Sequence, residues 1–159
     1  MPLWQIYHPT GTFEDNATKH AFAQDITKMY TDIGLPSFYV VTHFYKMDDE
    51  NVFVGGKTNE SGETPFIRIV ITHIALRIPD VDAMYLRTTS RIDKIIKPYV
   101  ADKGYDFEYH VDETERRLWK INSLIPPPHK SEAEQLWFKE NRAVPYEGAY
   151  PAVLSQASI

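Results

Sequence analysis

The sequence predicts an α/β fold built from two β-α-β units in one domain. Three observations carry that prediction. Runs of branched and aromatic residues stand at Leu3–Tyr7 and Phe66–Ile74; a long amphipathic helical pattern follows each run; a further strand-like run follows each helix.

Leu3, Trp4, Ile6 and Tyr7 mark the first strand, and His8-Pro9-Thr10-Gly11 supplies turn chemistry after it. From about Phe13 to Asp32, Ala17, Ala21, Phe22, Ile26, Met29, Tyr30 and Ile33 recur at helical spacing, so that stripe should lie on a sheet. Gly34 and Pro36 end the helix: one accepts a left-handed cap, and the other cannot continue the ladder. Phe38–Tyr45 reads as the second strand. Asn51–Val54 reads as a shorter strand or hairpin arm before Gly55-Gly56, and KTNESGET at 57–64 as a loop.

The run FIRIVITHI at 66–74 is almost continuously apolar, which predicts burial on both faces of a sheet or against a neighbouring subunit. A second helix is expected from about Asp80 to Val100, packed through Val81, Met84 or Tyr85, Thr88, Ile92, Ile95 or Ile96 and Tyr99, with a strand from Tyr105 to Val111 behind it. Any parallel crossover should be right-handed. The remainder, 112–159, reads as an irregular and helical extension. Asp112–Glu115 could cap a short helix toward Trp119, Pro126-Pro127-Pro128 must interrupt regular structure, and Ser131-Glu132-Ala133-Glu134 carries a helix-start signature. Beyond Pro145 a loop and a frayed end are expected.

A single domain of 159 residues buries roughly 70% of the surface its unfolded chain would expose, so it needs no staple to fold. The absence of cysteine excludes disulfides, thiolate catalysis and zinc–thiolate sites. A formal charge of -5 argues against a nucleic-acid backbone binder. No run reaches the roughly 18 apolar residues of a membrane span, and the N-terminus lacks a leader, so a cytoplasmic location away from membranes is expected. The six histidines form no HExxH array, Gly55-Gly56 matches no phosphate or dinucleotide loop, and Asp48-Asp49-Glu50 reads as a solvated turn cluster. Neither a metal nor a cofactor is expected.

Several segments in order resemble the tautomerase superfamily, in the longer branch that holds cis-3-chloroacrylic acid dehalogenase and its fungal relatives. They are PLWQIY at Pro2–Tyr7, KHAFAQDIT at Lys19–Thr27, NVFVGG at Asn51–Gly56, and Thr72, His73 and Arg77, extended by Tyr105–Tyr109 and Leu124–Pro127. The resemblance spans about Pro2 to Trp137. It implies a fused pair of β-α-β units forming a mixed sheet with two long helices, a homotrimer, and a proline exposed at the N-terminus in a pocket.

The chemistry of such a proline can also be argued directly. Once Met1 is removed, Pro2 is a cyclic secondary amine on a rigid strand. Burial and a nearby cation disfavour its ammonium form and create a neutral general base. The bland alternative is that Pro2 simply starts a strand. Arg77 matches a substrate-binding arginine and could hold a small anionic organic acid through two directed hydrogen bonds; a surface ion pair is the alternative. Tyr109 matches an active-site tyrosine, able to donate to a substrate oxygen or to satisfy the wet end of a packed ring.

The sequence also departs from the dehalogenase pattern. Ile74 stands where a second arginine is expected, with Arg68 as a nearby substitute. Tyr30 replaces a histidine, and Lys120 replaces the water-activating glutamate; a protonated lysine is no general base. His73 reads as a structural hydrogen-bonding group, Trp119 as an apolar wall, and Asn122 as a weak pocket candidate. Trp4 and Trp137 read as packing residues. The resulting expectation is a cofactor-independent tautomerase-like isomerase acting on a small α-keto or enol acid. The alternatives are a hydratase, decarboxylase or dehalogenase acting on a short unsaturated acid, and a non-catalytic trimeric binding protein.

Overall fold

The computed structural model describes residues 1–58 and 63–150. In chain order its elements are β1 (Leu3–Pro9), α1 (Asn16–Thr31), β2 (Val41–Met47), β3 (Phe53–Val54), β4 (Lys57–Thr58), β5 (Phe66–His73), α2 (Asp82–Ile96), β6 (Asp106–Glu113) and α3 (Glu132–Glu140). The principal sheet runs β2-β1-β5-β6. Strands β1 and β2 are parallel, β5 and β6 are parallel, and β1 meets β5 antiparallel. The sheet is therefore mixed: two β-α-β units lie head to tail and share one surface.

Period-two alternation selects the core face. Trp4 and Ile6 of β1, together with Ile67, Ile69 and Ile71 of β5, are fully buried. Phe22, Ile26 and Tyr30 of α1 and Ile92 and Ile96 of α2 join them in one cluster. Just past α2, Tyr99 ties that helix to the middle of α1: it stacks on Phe22 with ring centroids 4.5 Å apart, and its hydroxyl donates to Asp25 Oδ2 at 2.6 Å. Strand β5 is thus buried fully on one side only. On the other side Phe66, Arg68, Val70 and Thr72 are half-buried, beside Leu3, Gln5 and Tyr7 of β1.

Local chemistry sets the boundaries. Asp15 caps α1 by accepting the Thr18 N–H at 2.6 Å. Gly34 takes φ 90° just after the helix, the left-handed turn expected of it. The second strand begins later than Phe38, because Ser37–Tyr39 form a 3-10 turn after Pro36. Asn141, left-handed at the end of α3, clamps that turn: its Oδ1 accepts from Ser37 Oγ at 2.6 Å and from the Phe38 N–H at 2.9 Å. Gly55 and Gly56, both at positive φ, close the β3–β4 hairpin, so the expected loop at 57–64 begins as a strand. Residues 59–62 of that loop lie outside the described residues.

Helix α2 is shorter than the 80–100 expected, ending at Ile96 before Pro98. Its first half is also less covered in one chain than its pattern implies: Val81 is 54% exposed and Leu86 67%. In the extension, Ser131 caps α3 by accepting the Glu134 N–H at 3.2 Å. Instead of fraying after Pro145, the chain returns to the body: Ile125 N–H donates to the Ala149 carbonyl at 2.6 Å, and Ala149 is fully buried. Residues 151–159, where a frayed end was expected, lie outside the described residues. No described helix is long and apolar enough to cross a membrane.

Candidate active site at the chain start

Pro2 is buried where β1 begins, and its carbonyl accepts the Val41 N–H at 3.0 Å. Leu3 lies opposite Thr72 in the antiparallel register, so the next step sets Pro2 beside His73. A cavity of about 60 Å³ opens there, lined by Pro2, Tyr30, His73 and the apolar Ile74 among others. Ile74, Ala75 and Leu76 also form part of the wall of a second cavity of about 360 Å³, which holds Arg77, Glu115 and Arg116.

A hydrogen-bonded chain backs the smaller cavity. Trp4 Nε1 donates to Tyr30 Oη at 2.9 Å, and Tyr30 Oη lies 2.8 Å from His73 Nε2. Burial holds the Tyr30 phenol protonated, against the opposing effect of the indole hydrogen bond. Burial, with a smaller effect of the chain-start charge, pushes His73 down to about 4, so its imidazole is neutral at neutral pH. Tyr30 already accepts from Trp4, and its own proton has no other described acceptor than Nε2. The His73 hydrogen therefore belongs on Nδ1.

The amine of Met1 is pushed down to about 4, first by burial and then by the Arg116 guanidinium, with Glu134 acting in the opposite direction. Arg116 is fixed by carbonyls: its Nη2 donates to Pro126 at 2.8 Å and also to Pro127. Prolines lack an N–H but keep a strong acceptor, so the triproline run that interrupts regular structure also anchors a cation. Glu134 is 4% exposed, accepts the Lys130 N–H at 2.7 Å and lies 2.8 Å from His129 Nδ1.

Of the residues singled out in the sequence, Pro2, Tyr30, His73 and Ile74 come together, and Arg77, exposed, lines the adjoining cavity. Trp119 is buried behind Tyr39, with ring centroids 4.9 Å apart. The others stand apart within the chain. Arg68 lies on the open sheet face, away from Ile74 of its own chain, paired with Glu108 and 2.7 Å from His110 Nδ1. Tyr109 shares the helix-facing side with Ile69, its register partner, and its hydroxyl donates to Asp93 Oδ1 at 2.8 Å. Glu113, opposite His73, marks the Pro2 end of β6, so Tyr109 is about 13 Å back along the strand. Lys120 is exposed, and Asn122 is an exposed turn residue with φ 49° between the bridged Ile121 and Leu124.

Arg116, Glu134 and Tyr39 are the neighbours of the chain start that sequence reasoning missed. Arg116 looks like half of a solvated Arg-Arg pair. Its one readable sign is an arginine placed some ten residues before consecutive prolines.

Fused β-α-β units sharing one mixed sheet define the tautomerase superfamily. Within it, the chain belongs to the family Tautomerase_3, whose profile, described as "Putative oxalocrotonate tautomerase enzyme", matches residues 1–142. That match fixes the family without singling out the dehalogenase branch. RhCC from Rhodococcus jostii RHA1 is 37% identical, with 91% of this chain and 99% of that chain covered and a TM-score of 0.83. A "probable enzyme" from the thermophilic fungus Aspergillus fumigatus is 38% identical over 92% of this chain and 98% of that one, with a TM-score of 0.82. A fused 4-OT described as a symmetric trimer shares the fold at 17% identity, covering 75% of this chain and 92% of that chain, with a TM-score of 0.55. No curated protein matches.

Proposed function

We propose that this tautomerase-family protein is a cytoplasmic, cofactor-independent isomerase in which Pro2, freed by loss of Met1, moves a proton on a small α-keto or enol acid. The observation that carries this reading is the buried chain-start amine beside Arg116, which the Pro126 and Pro127 carbonyls fix in place. Loss of Met1 moves the amine one residue inward to the buried Pro2, where burial disfavours the ammonium form and favours a neutral base. It takes a proton from the carbon next to the substrate carbonyl. The electron pair of the broken C–H bond forms the enol double bond, and the carbonyl pair moves onto oxygen. Returning the proton to a different atom completes the isomerisation.

Arg77 and Arg116 are the cations of this reading, one positioning the carboxylate and the other stabilising the developing oxyanion. The apolar Ile74 and the solvated Lys120 support proton relocation over water addition. A homotrimer is proposed on two grounds: the half-buried open face of the sheet, and the trimer described for the fused 4-OT relative. Tyr109 enters this mechanism only if assembly brings it to a neighbouring chain's pocket.

The test is ketonisation of phenylenolpyruvate by protein whose loss of Met1 is verified by intact mass. Turnover that Pro2→Ala abolishes supports the reading. Equal turnover by Pro2→Ala, or high activity in a preparation that retains Met1, overturns it.

A further inference from the structure

The 3-10 turn before β2 brings a second tyrosine to the chain start. The turn ends two residues before Val41, whose N–H donates to the Pro2 carbonyl at 3.0 Å, so the segment that bears Tyr39 enters β2 at the chain start. The Tyr39 ring is 1% exposed and packs edge-on against Trp119 at 4.9 Å and Trp137 at 6.1 Å. That packing accounts for the ring but not for the hydroxyl. Tyr39 Oη is buried with no hydrogen-bond partner among the described residues. Its neighbours are satisfied: Trp137 Nε1 donates to the Val144 carbonyl at 2.6 Å, and Tyr146 Oη to the Ile125 carbonyl at 3.0 Å. A buried hydroxyl is nearly always paired, and one left open in an otherwise satisfied aromatic cluster calls for a partner that arrives from outside.

The surrounding charges indicate what that partner is. Arg116 and Glu134 act on both the chain-start amine and the Tyr39 phenol, so all four groups occupy one neighbourhood. Burial, and then the negative Glu134, keep the phenol protonated far above neutral pH, which makes it a donor and not a base. We infer that Tyr39 donates a hydrogen bond to the C2 oxygen of a 2-oxo or enol acid in the space that opens when Met1 is lost. This assignment rests on the reading of Pro2 as the base. As the C–H bond breaks and charge collects on the C2 oxygen, that hydrogen bond strengthens, and Arg116 supplies the countercharge. The site then selects acids that carry an oxygen next to the carboxylate.

Tyr39→Phe removes only Oη and so tests the inference on Met1-free protein. A drop of about 10-fold or more in kcat/KM for phenylenolpyruvate is expected, with most of the loss in kcat, as for removal of an oxyanion donor. The thermal midpoint should hold or rise, because no protein hydrogen bond is lost. Calorimetric binding gives a readout independent of turnover. The parent should prefer phenylpyruvate to 3-phenylpropionate, which has the carboxylate but no C2 oxygen, and Tyr39→Phe should lose that preference. Parent-like kcat/KM in Tyr39→Phe, no binding preference in the parent, or a lowered midpoint with both acids weakened equally would each overturn the assignment. Pro2→Ala distinguishes the two failures: if it is inactive while Tyr39→Phe is parent-like, only the role of Tyr39 falls; if it is fully active, the reading of Pro2 falls.

Discussion

The two β-α-β units start alike and finish differently. Each opens with a proline one residue ahead of its first strand, and each of these prolines accepts a hydrogen bond from the second strand of its unit. Val41 N–H donates to the Pro2 carbonyl and Asp106 N–H to the Pro65 carbonyl, both at 3.0 Å. Backbone geometry therefore supplies two equivalent stations at opposite ends of one sheet. At the first, Pro2 lines a cavity with His73 and Tyr30, and the anchored Arg116 acts on the Met1 amine. At the second, Pro65 nitrogen is an internal amide, and the nearby cavity of about 200 Å³ includes Asp106 and, among the described residues, none further along the chain. The lesson is that the repeated fold provides position, while the chain end and the extension after β6 provide chemistry. Among the described residues, that extension reaches one station and not the other.

Breaking this asymmetry at its centre should have the largest effect. Pro2→Ala replaces the cyclic secondary amine and is expected to lower kcat/KM for phenylenolpyruvate by about 100- to 10,000-fold, the usual worth of a positioned general base. Next comes the cation that distinguishes the two stations. Removing its charge with Arg116→Gln relieves the pressure against the ammonium form, so the amine pKa rises. The acid limb of the pH–kcat/KM profile should move to higher pH, while Arg116→Lys should hold it near the parent position.

A smaller effect is expected from His73. Its folded pKa of about 4 lies below the ordinary 6.5, so the unfolded chain binds the extra proton between those values. The stability it contributes is present above pH 6.5 and is lost as pH falls toward 4. Urea unfolding should show the parent losing about 1.4 kcal/mol per pH unit more than His73→Asn across that window. Least affected should be Pro65→Ala, whose turnover is expected to stay within about twofold of the parent, because an internal amide contributes no general base at that station.

The sequence makes the repeated half of this comparison legible and hides much of the other. Apolar periodicity locates both units because each strand and helix shows one face to a common core, and Ile67, Ile69 and Ile71 follow that rule. Strand parity carries more information than the resemblance: Tyr109 stands two residues from both Phe107 and Val111 and shares their face, the helix side of their register partners Ile67 and Ile71. The surroundings of Pro2 are harder to read because they depend on groups that side-chain identity does not display. Arg116 is held by proline carbonyls, and the placement of Tyr39 depends on a 3-10 turn in a segment whose residue types favour a strand. Lys120 and Asn122 could be located by alignment, but their exposure is set by the turn from Ile121 to Leu124, which residue matching does not reveal.

The clamp from Asn141 to Ser37 and Phe38 sets an order for biosynthesis. Ser37 and Asn141 are 104 residues apart. The turn bearing Tyr39 leaves the ribosome early, but the amide that holds it is made near the end of the described chain. Contacts of such long sequence separation close late. Both units can be synthesised before this wall of the pocket has its partner, so a nascent chain that has already acquired its sheet still lacks a finished site.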